Sequence, residues 1–360
     1  TQESAERLHQ RYGDDTALMV VGPVGEMHMP TAAILNSDQE GFPARVCGRG
    51  GMGAVMAAKS IKAVVIDDTD TSSVQLADSR RFKDATKKYM ALLKNTPQTA
   101  EIYTKFGTAA MTDVTNELGG LPTRNFSRGR FEGADNISGR TLYRIITERG
   151  GDPSHACMPG CVICSSNIFV DQRGRPIVRS VEYETLVLFG PNCEIDDLDE
   201  LALINQMCND IGIDTIDLGV AMGIAMEAGL LAFGDTDGVK DMIRLVQQGT
   251  VLGRVLGAGA AVTRKVLGIR RNPAVKGQAM AAYEPRAIKG HGVTFATSTM
   301  GADHTAGFTI REGLDSHDAD GQVKASARMQ INGMLYDSLG ICLFAHAAVR
   351  NHHDILTDMV

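Results

Sequence analysis

The chain has 360 residues, 43% of them hydrophobic, with a formal net charge of -7 and a pI near 5.7. That length exceeds what one core usually fills, so two or three smaller cores are expected. The acidity and the absence of tryptophan exclude a nucleic-acid surface, which needs clustered lysine and arginine and stacking rings. No run of 18 apolar residues is present to span a membrane, and the polar opening TQESAERLHQRYGDD lacks the apolar core of a secretory signal, so a cytoplasmic location is the default expectation.

Amphipathic spacing predicts a helix over residues 4–12, and ALMVV predicts a strand at Ala17–Val21 followed by a turn at Gly22, Pro23 and Gly25. A glycine-dense stretch then leads to a second strand over 62–67. Short helices are predicted over 82–93, 113–118 and 139–147. After three closely spaced cysteines, IFVDQRGRPIVRS reads as a hairpin around Gly174. DDLDELALINQMCNDIG reads as a helix with an acidic first turn. Residues 220–233 are apolar all round, as a buried helix is, and 242–256 form an amphipathic one. The polar stretches DDTDTSS and RRNPAVKG divide the chain into 1–73, 74–275 and 276–360. The first piece, with two strands and no second layer, reads as the end of a larger β-rich domain.

Chemistry concentrates at Cys157, Cys161 and Cys164 in HACMPGCVIC and at Cys342 in DSLGICLF. Four soft thiolates are what an iron–sulfur cubane requires, and C-x3-C-x2-C is not the paired C-x2-C of a zinc ribbon. A zinc site and unligated core thiols remain open at this point. The other cysteines, Cys47, Cys193 and Cys208, have no partner pattern and read as buried thiols. An odd count of seven does not suit a disulfide framework.

In CGRGGMGAVMAAKSIKAVVI, Gly48, Gly50 and Gly53 fit the G-x-G-x-x-G spacing beside Arg45 and Arg49. They precede the strong strand instead of following it, which disfavours a dinucleotide fold but leaves a phosphate site, or a plain packing turn, open. Two further segments resemble each other, NDIGID (209–214) and DSLGIC (337–342). Each reads either as a helix ending at a capping glycine or as polar acceptors for a flat, nitrogen-rich heterocycle.

Together GPVGE, GRGGMGAVMAAKSIKA, EYET, CNDIGIDT, ATSTMGADH and DSLGIC, in this order from Gly22 to Cys342, resemble the tungsten-containing aldehyde:ferredoxin oxidoreductases. The resemblance implies a mainly α fold, the multihelical domains 2 and 3 of that family, with a small β portion at the N-terminus. It implies tungsten or molybdenum held by two pterins, a magnesium ion bridging their phosphates, and one 4Fe–4S cluster on Cys157, Cys161, Cys164 and Cys342. By the same resemblance Asn209, Ile213 and Asp214 contact one pterin, with Asp210 a substitute for Asn209. Asp337, Ile341 and Leu343 contact the other, while Arg45, Val46, Gly48 and Arg49 sit at the phosphates and magnesium. Glu182 or Glu184, with His304, forms the implied acid–base pair. The implied partners are a small aldehyde and ferredoxin or another electron-transfer subunit, with homodimers common in the family. His155 and His291 are lesser candidates, for cluster tuning and substrate contact.

The chain departs from the family pattern at four points: the cluster spacing, Asn209 where aspartate is usual, Ala306 where a basic residue is usual, and its length. Alternative readings are a relative that reduces an aromatic thioester or a carboxylic acid, and a cluster-binding fragment that carries electrons without catalysis.

Overall fold

The computed structural model describes residues 1–315 and 317–359. Its N-terminal part is an antiparallel sheet of four strands, β1 (Ala17–Val21), β2 (Ile34–Ser37), β3 (Pro43–Cys47) and β4 (Ala63–Ile66), in the order β3-β2-β1-β4. Val20 of β1 lies opposite Leu35 on one side and Ala63 on the other. Period-2 alternation sends Leu18 and Val20 to one face, where Ala5 of helix α1 (Gln2–Tyr12) covers them. Val21 and Ile34 pack on Met56 of α2 (Met52–Ala58). The segment is therefore two-layered with four strands, not two strands without a partner layer. ILNS and PARVC mix polar with apolar residues and carry no strand signal of their own.

The glycines of residues 48–53 are explained partly by this packing. A Cβ on Gly51, whose φ is +69°, would lie 2.5 Å from the Pro30 carbonyl oxygen, and one on Gly53 would lie 2.4 Å from that of Ala33. Every strand pair is antiparallel, so the segment belongs to no parallel βαβ unit and to no dinucleotide fold.

The rest is helical around a second small sheet. Helices α3 (Ser79–Asn95), α4 (Met111–Glu117) and α5 (Gly139–Glu148) precede the strands β5 (Asp152–His155), β6 (Ser166–Val170) and β7 (Pro176–Arg179). Then come α6 (Tyr183–Phe189), α7 (Leu198–Ile211), α8 (Thr215–Glu227), α9 (Thr236–Gln247), α10 (Val251–Gly257), α11 (Ala260–Leu267), α12 (Lys289–Thr297), α13 (Gln322–Ser338) and α14 (His353–Met359). Helix α8 is buried from Ile216 to Met226, apolar throughout except for Asp217, but begins earlier and ends six residues sooner than its apolar run. The stretch 242–256 is two helices, broken where Gly249 takes φ +65°.

Three larger cores result. One joins α5 to α10 through Leu142, Phe169, Leu201 and Met222. A second surrounds Tyr183, Tyr283 and Phe295. The third joins Leu93 of α3, Ile163 of the cysteine loop, Tyr336 of α13 and Leu356 of α14, with Ile341 and Phe344 packed against it. Each fully buried side chain of this size contributes about 1.5–3 kcal/mol, which fixes the cysteine loop beside residues 341–344. Among the described residues no helix is long and apolar enough to cross a membrane.

Candidate active site

The loop between β5 and β6 carries Cys157, Cys161 and Cys164, and the third core presses it onto the segment holding Cys342. Local bonds shape the loop. Cys161 N–H donates to the Met158 carbonyl at 3.2 Å, and Cys164 N–H points at Cys161 Sγ at 3.4 Å. Burial pushes the Cys157 thiol up to about 11, with the Cys161 and Cys342 sulfurs adding to the effect and Arg45 opposing it. The four thiols are thus electrostatic neighbours. No three of them lie within 4.8 Å of one another, whereas a single tetrahedral ion with metal–sulfur bonds near 2.3 Å would hold them about 3.8 Å apart.

Arg45, on β3, donates Nη1 to Ser166 Oγ at 2.6 Å, while its Nε and Nη2 are buried with no partner in the protein. Unpaired buried guanidinium donors beside a thiol group fit an anionic occupant. Arg49 differs. Its Nη1 donates to the Ala302 carbonyl at 2.8 Å and Nη2 to that of Ala279 at 2.5 Å, while the guanidinium faces Asp214 at 3.6 Å and Asp217 at 3.7 Å. Arg49 therefore ties together the glycine segment, the 209–214 segment and the loop before His304. Burial raises the Asp214 carboxyl, and Arg49 opposes that shift. Val46 is exposed, and Gly48 has only Val46 within 4 Å of a built Cβ.

Asp214 caps α8, its Oδ1 accepting from Ile216 N–H at 2.8 Å. Ile213 is in the main core. Asn209 and Asp210 face a separate groove of about 200 Å³ with Phe42 and Arg179. Asp337 is exposed at the end of α13, Ile341 packs on the third core, and Leu343 lines the main cavity. The two similar segments therefore do not present their polar groups to one common space.

That main cavity encloses about 750 Å³. Glu182, Glu184 and His304 all line it. Glu182 has a partner on each carboxylate oxygen, its Oε2 accepting from Thr108 Oγ1 at 2.5 Å and its Oε1 from Ser180 Oγ at 2.8 Å. Glu184 accepts the Ala282 N–H on Oε2 at 2.7 Å and turns Oε1 toward His304 Nε2 at 3.3 Å. The approach is an ion-pair distance without hydrogen-bond geometry, and Glu184 Oε1 and His304 Nδ1 are buried without a hydrogen-bond partner. Both side chains are only 15–16% exposed. Two proton-exchanging groups with spare valence in one cavity can move a proton to or from a bound molecule. A hydrogen bond of 2.7 Å between Thr185 and Thr215 joins this helix to α8.

His291 is not a cavity residue. It lies buried behind Tyr283, stacked at 4.7 Å, with Thr309 Oγ1 3.1 Å from Nδ1. Burial lowers its pKa to about 3, so it is a neutral structural ring. His155 lies 3.2 Å from both Glu40 and Asp152. Asp38, Glu40 and His155 could together surround an ion, but Arg179 already pairs with Glu40 at 2.7 Å and with Asp38 at 3.3 Å and fills that role. Cys193 and Cys208 are buried thiols, while Cys47 is exposed, contrary to expectation. The aromatic and arginine residues of the cavity, above all Tyr103, Tyr283, Phe308 and Arg311, belong to no motif and went unread in the sequence.

Residues 1–68 match the family described as "Aldehyde ferredoxin oxidoreductase, N-terminal domain", and residues 84–360 match "Aldehyde ferredoxin oxidoreductase, domains 2 & 3". The tungsten-containing aldehyde ferredoxin oxidoreductase of Pyrococcus abyssi is 30% identical over 95% of this chain and 58% of its own length. The aliphatic sulfonate oxidoreductase, WOR-like subunit, of Pyrococcus furiosus is 23% identical over 81% of this chain and 48% of its own. The chain thus spans about half the length of the curated relatives it matches. Among solved structures, the active site complex BamBC of benzoyl coenzyme A reductase, with 1,5 dienoyl-CoA, superposes with a TM-score of 0.64. It is 14% identical, over 85% of this chain and 49% of that one, a likeness of fold.

Proposed function

The chain belongs to the aldehyde ferredoxin oxidoreductase family, and from that premise we propose that it oxidises an aldehyde to a carboxylate and passes the electrons to ferredoxin or a similar carrier. The overall step is RCHO + H2O → RCOO⁻ + 3 H⁺ + 2 e⁻. A tungsten–bis-pterin centre, when bound, supplies the two-electron acceptor. The rest of the proposal concerns what this chain's residues do.

Glu184 and His304 hold and move the protons. Glu184 orients or deprotonates the incoming water or hydrate, and the imidazole takes the proton of the substrate oxygen. Glu182, with both carboxylate oxygens occupied, positions the start of α6 through Thr108. Cys157, Cys161, Cys164 and Cys342 hold a 4Fe–4S cluster, and the two free donors of Arg45 face an anionic group beside it. Electrons have a short route, since Leu343 and Phe344 line the cavity directly after Cys342. Asp214 and Asp217, the carboxylates at Arg49, both face its guanidinium and so do not stand ready as magnesium ligands.

The observation that carries the reading is the Glu184–His304 pair, largely buried in a cavity whose wall continues into the segment of Cys342. The test is anaerobic purification with metal analysis, followed by assay with aldehydes and a viologen acceptor. The expected result is close to four irons and one tungsten or molybdenum per chain with aldehyde-dependent dye reduction. A fully metallated protein that reduces no acceptor with any aldehyde would overturn the reading.

A further inference from the structure

Of the charged side chains in the cavity that this chemistry leaves unused, Arg311 stands apart from the paired Glu312, Arg328 and Arg350. The Arg311 guanidinium lies 5.1 Å from the centre of the Tyr103 ring and 5.7 Å from that of Phe308. It donates one Nη to the Tyr103 hydroxyl and the other to Met111 Sδ at 3.2 Å. No carboxylate of the described residues pairs with it. Its neighbour Glu312 is committed to Arg328 and, at 3.4 Å, to Arg350.

A half-buried arginine held between rings has lost rotamer freedom and part of its hydration, and here no counter-charge compensates it. That is the preparation an oxyanion receptor needs, because guanidinium recognises carboxylate and sulfonate in a planar, two-pronged way.

The position of Arg311 matters as much as its charge. From His304 the wall runs to Tyr283 at 5.5 Å, on to Phe308 at 5.4 Å, and so to the guanidinium. Tyr283 feels both ends. Burial raises its pKa well above the usual tyrosine value, Glu184 adds to this, and Arg311 opposes it. The cavity is therefore polarised, with carboxylates at the reacting end and, at the other, three arginines against one glutamate.

We propose that the substrate is an aldehyde whose far end carries an oxyanion, a carboxylate or a sulfonate, and that Arg311 receives this group while the aldehyde lies at Glu184 and His304. The inference rests on the aldehyde reading and deepens it. The reaction is then ⁻O2C–R–CHO + H2O → ⁻O2C–R–COO⁻ + 3 H⁺ + 2 e⁻, or its sulfonate counterpart, with the electrons leaving as before. Arg311 makes and breaks no bond; it sets specificity.

The test compares matched aldehydes on the anaerobic holoenzyme: benzaldehyde against its 4-carboxy and 4-sulfo derivatives, and butanal against 4-oxobutanoate. The expected result is at least a tenfold higher kcat/KM for the anionic member, carried mainly by KM. In Arg311→Gln the ratio of anionic to neutral kcat/KM should fall about 10- to 100-fold, the worth of a hydrogen bond to a charged group. Arg311→Lys should restore part of it, and the carboxy–sulfo comparison shows which oxyanion fits. Calorimetric binding of terephthalate against benzoate reads the same subsite without turnover. If terephthalate binding depends on Arg311 while no aldehyde is oxidised, the aldehyde reading falls and the anion subsite stands. Equal treatment of both members of each pair by the wild type, or an unchanged ratio in both variants, would overturn the proposal.

Discussion

The cysteine loop and the cavity share a wall at residues 341–344, yet they are built in opposite ways. The loop carries three of the four sulfurs within eight consecutive residues, shaped by bonds inside the loop, and the third core sets it beside Cys342. Two of its glycine and cysteine positions, Gly160 and Cys164, take positive φ. The cavity takes Thr108, Glu184, Tyr283, His304 and Arg311 from five separate segments, each fixed by packing or by a partner from elsewhere in the chain. The difference follows from bond strength. Metal–thiolate bonds are strong enough to organise their own ligands, so a loop suffices. A pocket that works by hydrogen bonds and proton transfer must be rigid before its substrate arrives. Damage to the first should therefore be all-or-none, and damage to the second graded.

The largest expected effect is at Cys161, the sulfur that touches the other three electrostatically or through the loop. Cys161→Ser should drop iron from about four to below one per chain and reduce dye-linked turnover by at least about 10³-fold, with carboxylate binding in the cavity nearly unchanged. Loss of both together would dissolve the distinction. Next is Glu184→Gln, which should lower kcat about 10²- to 10⁴-fold at constant iron content and little-changed KM. An unaltered kcat would remove Glu184 from the proton pathway. Arg45→Met should weaken retention of the cofactors about 10- to 100-fold, measured by metal loss on dialysis.

His291 gives a smaller, pH-dependent effect. Its pKa is lowered in the fold to about 3 from 6.5, so the neutral ring contributes stability that is fully present above pH 6.5 and is lost as pH falls toward 3. His291→Gln lacks this titration, so its stability deficit relative to the wild type should shrink on acidification, as read by denaturant melts between pH 7 and 4. A constant deficit would show that the ring is not held neutral. The smallest effect is at Thr185→Val, which deletes the bond to Thr215 and should cost about 1 kcal/mol with activity nearly retained.

Much of the fold was legible because its signals are local. Residues 17–21 are a short apolar run ending in β-branched residues and followed by turn residues, DDLDELALINQMCNDIG has an aspartate cap and a helical period, and the hairpin around Gly174 was legible from its flanking β-branched runs. The misreadings share a cause. The apolar run after Ala228 continues the pattern of α8, but Gly229 takes φ +78° and ends the helix. Strands β2 and β3 are specified by their neighbours in the sheet, not by their own sequence. The same division runs through the site. The cysteines are visible because a cluster demands soft thiolates in close spacing, while the EYET and GADH segments are visible only through the family resemblance. Tyr103, Tyr283 and Arg311 stand alone in the sequence and acquire meaning only when the fold brings them to one wall. The two similar segments at 209–214 and 337–342 illustrate the converse: their likeness in sequence does not give them one shared space in the fold.

The most direct test of the account is a single-turnover experiment on anaerobic, oxidised, metallated protein, following the visible absorbance of the cluster as aldehyde is added. Coupling of the cavity to the cysteine centre predicts bleaching that accompanies carboxylate formation, slowed about 10²-fold or more in Glu184→Gln. Carboxylate formed while the cluster stays oxidised, or a cluster that bleaches equally fast in Glu184→Gln, would contradict it.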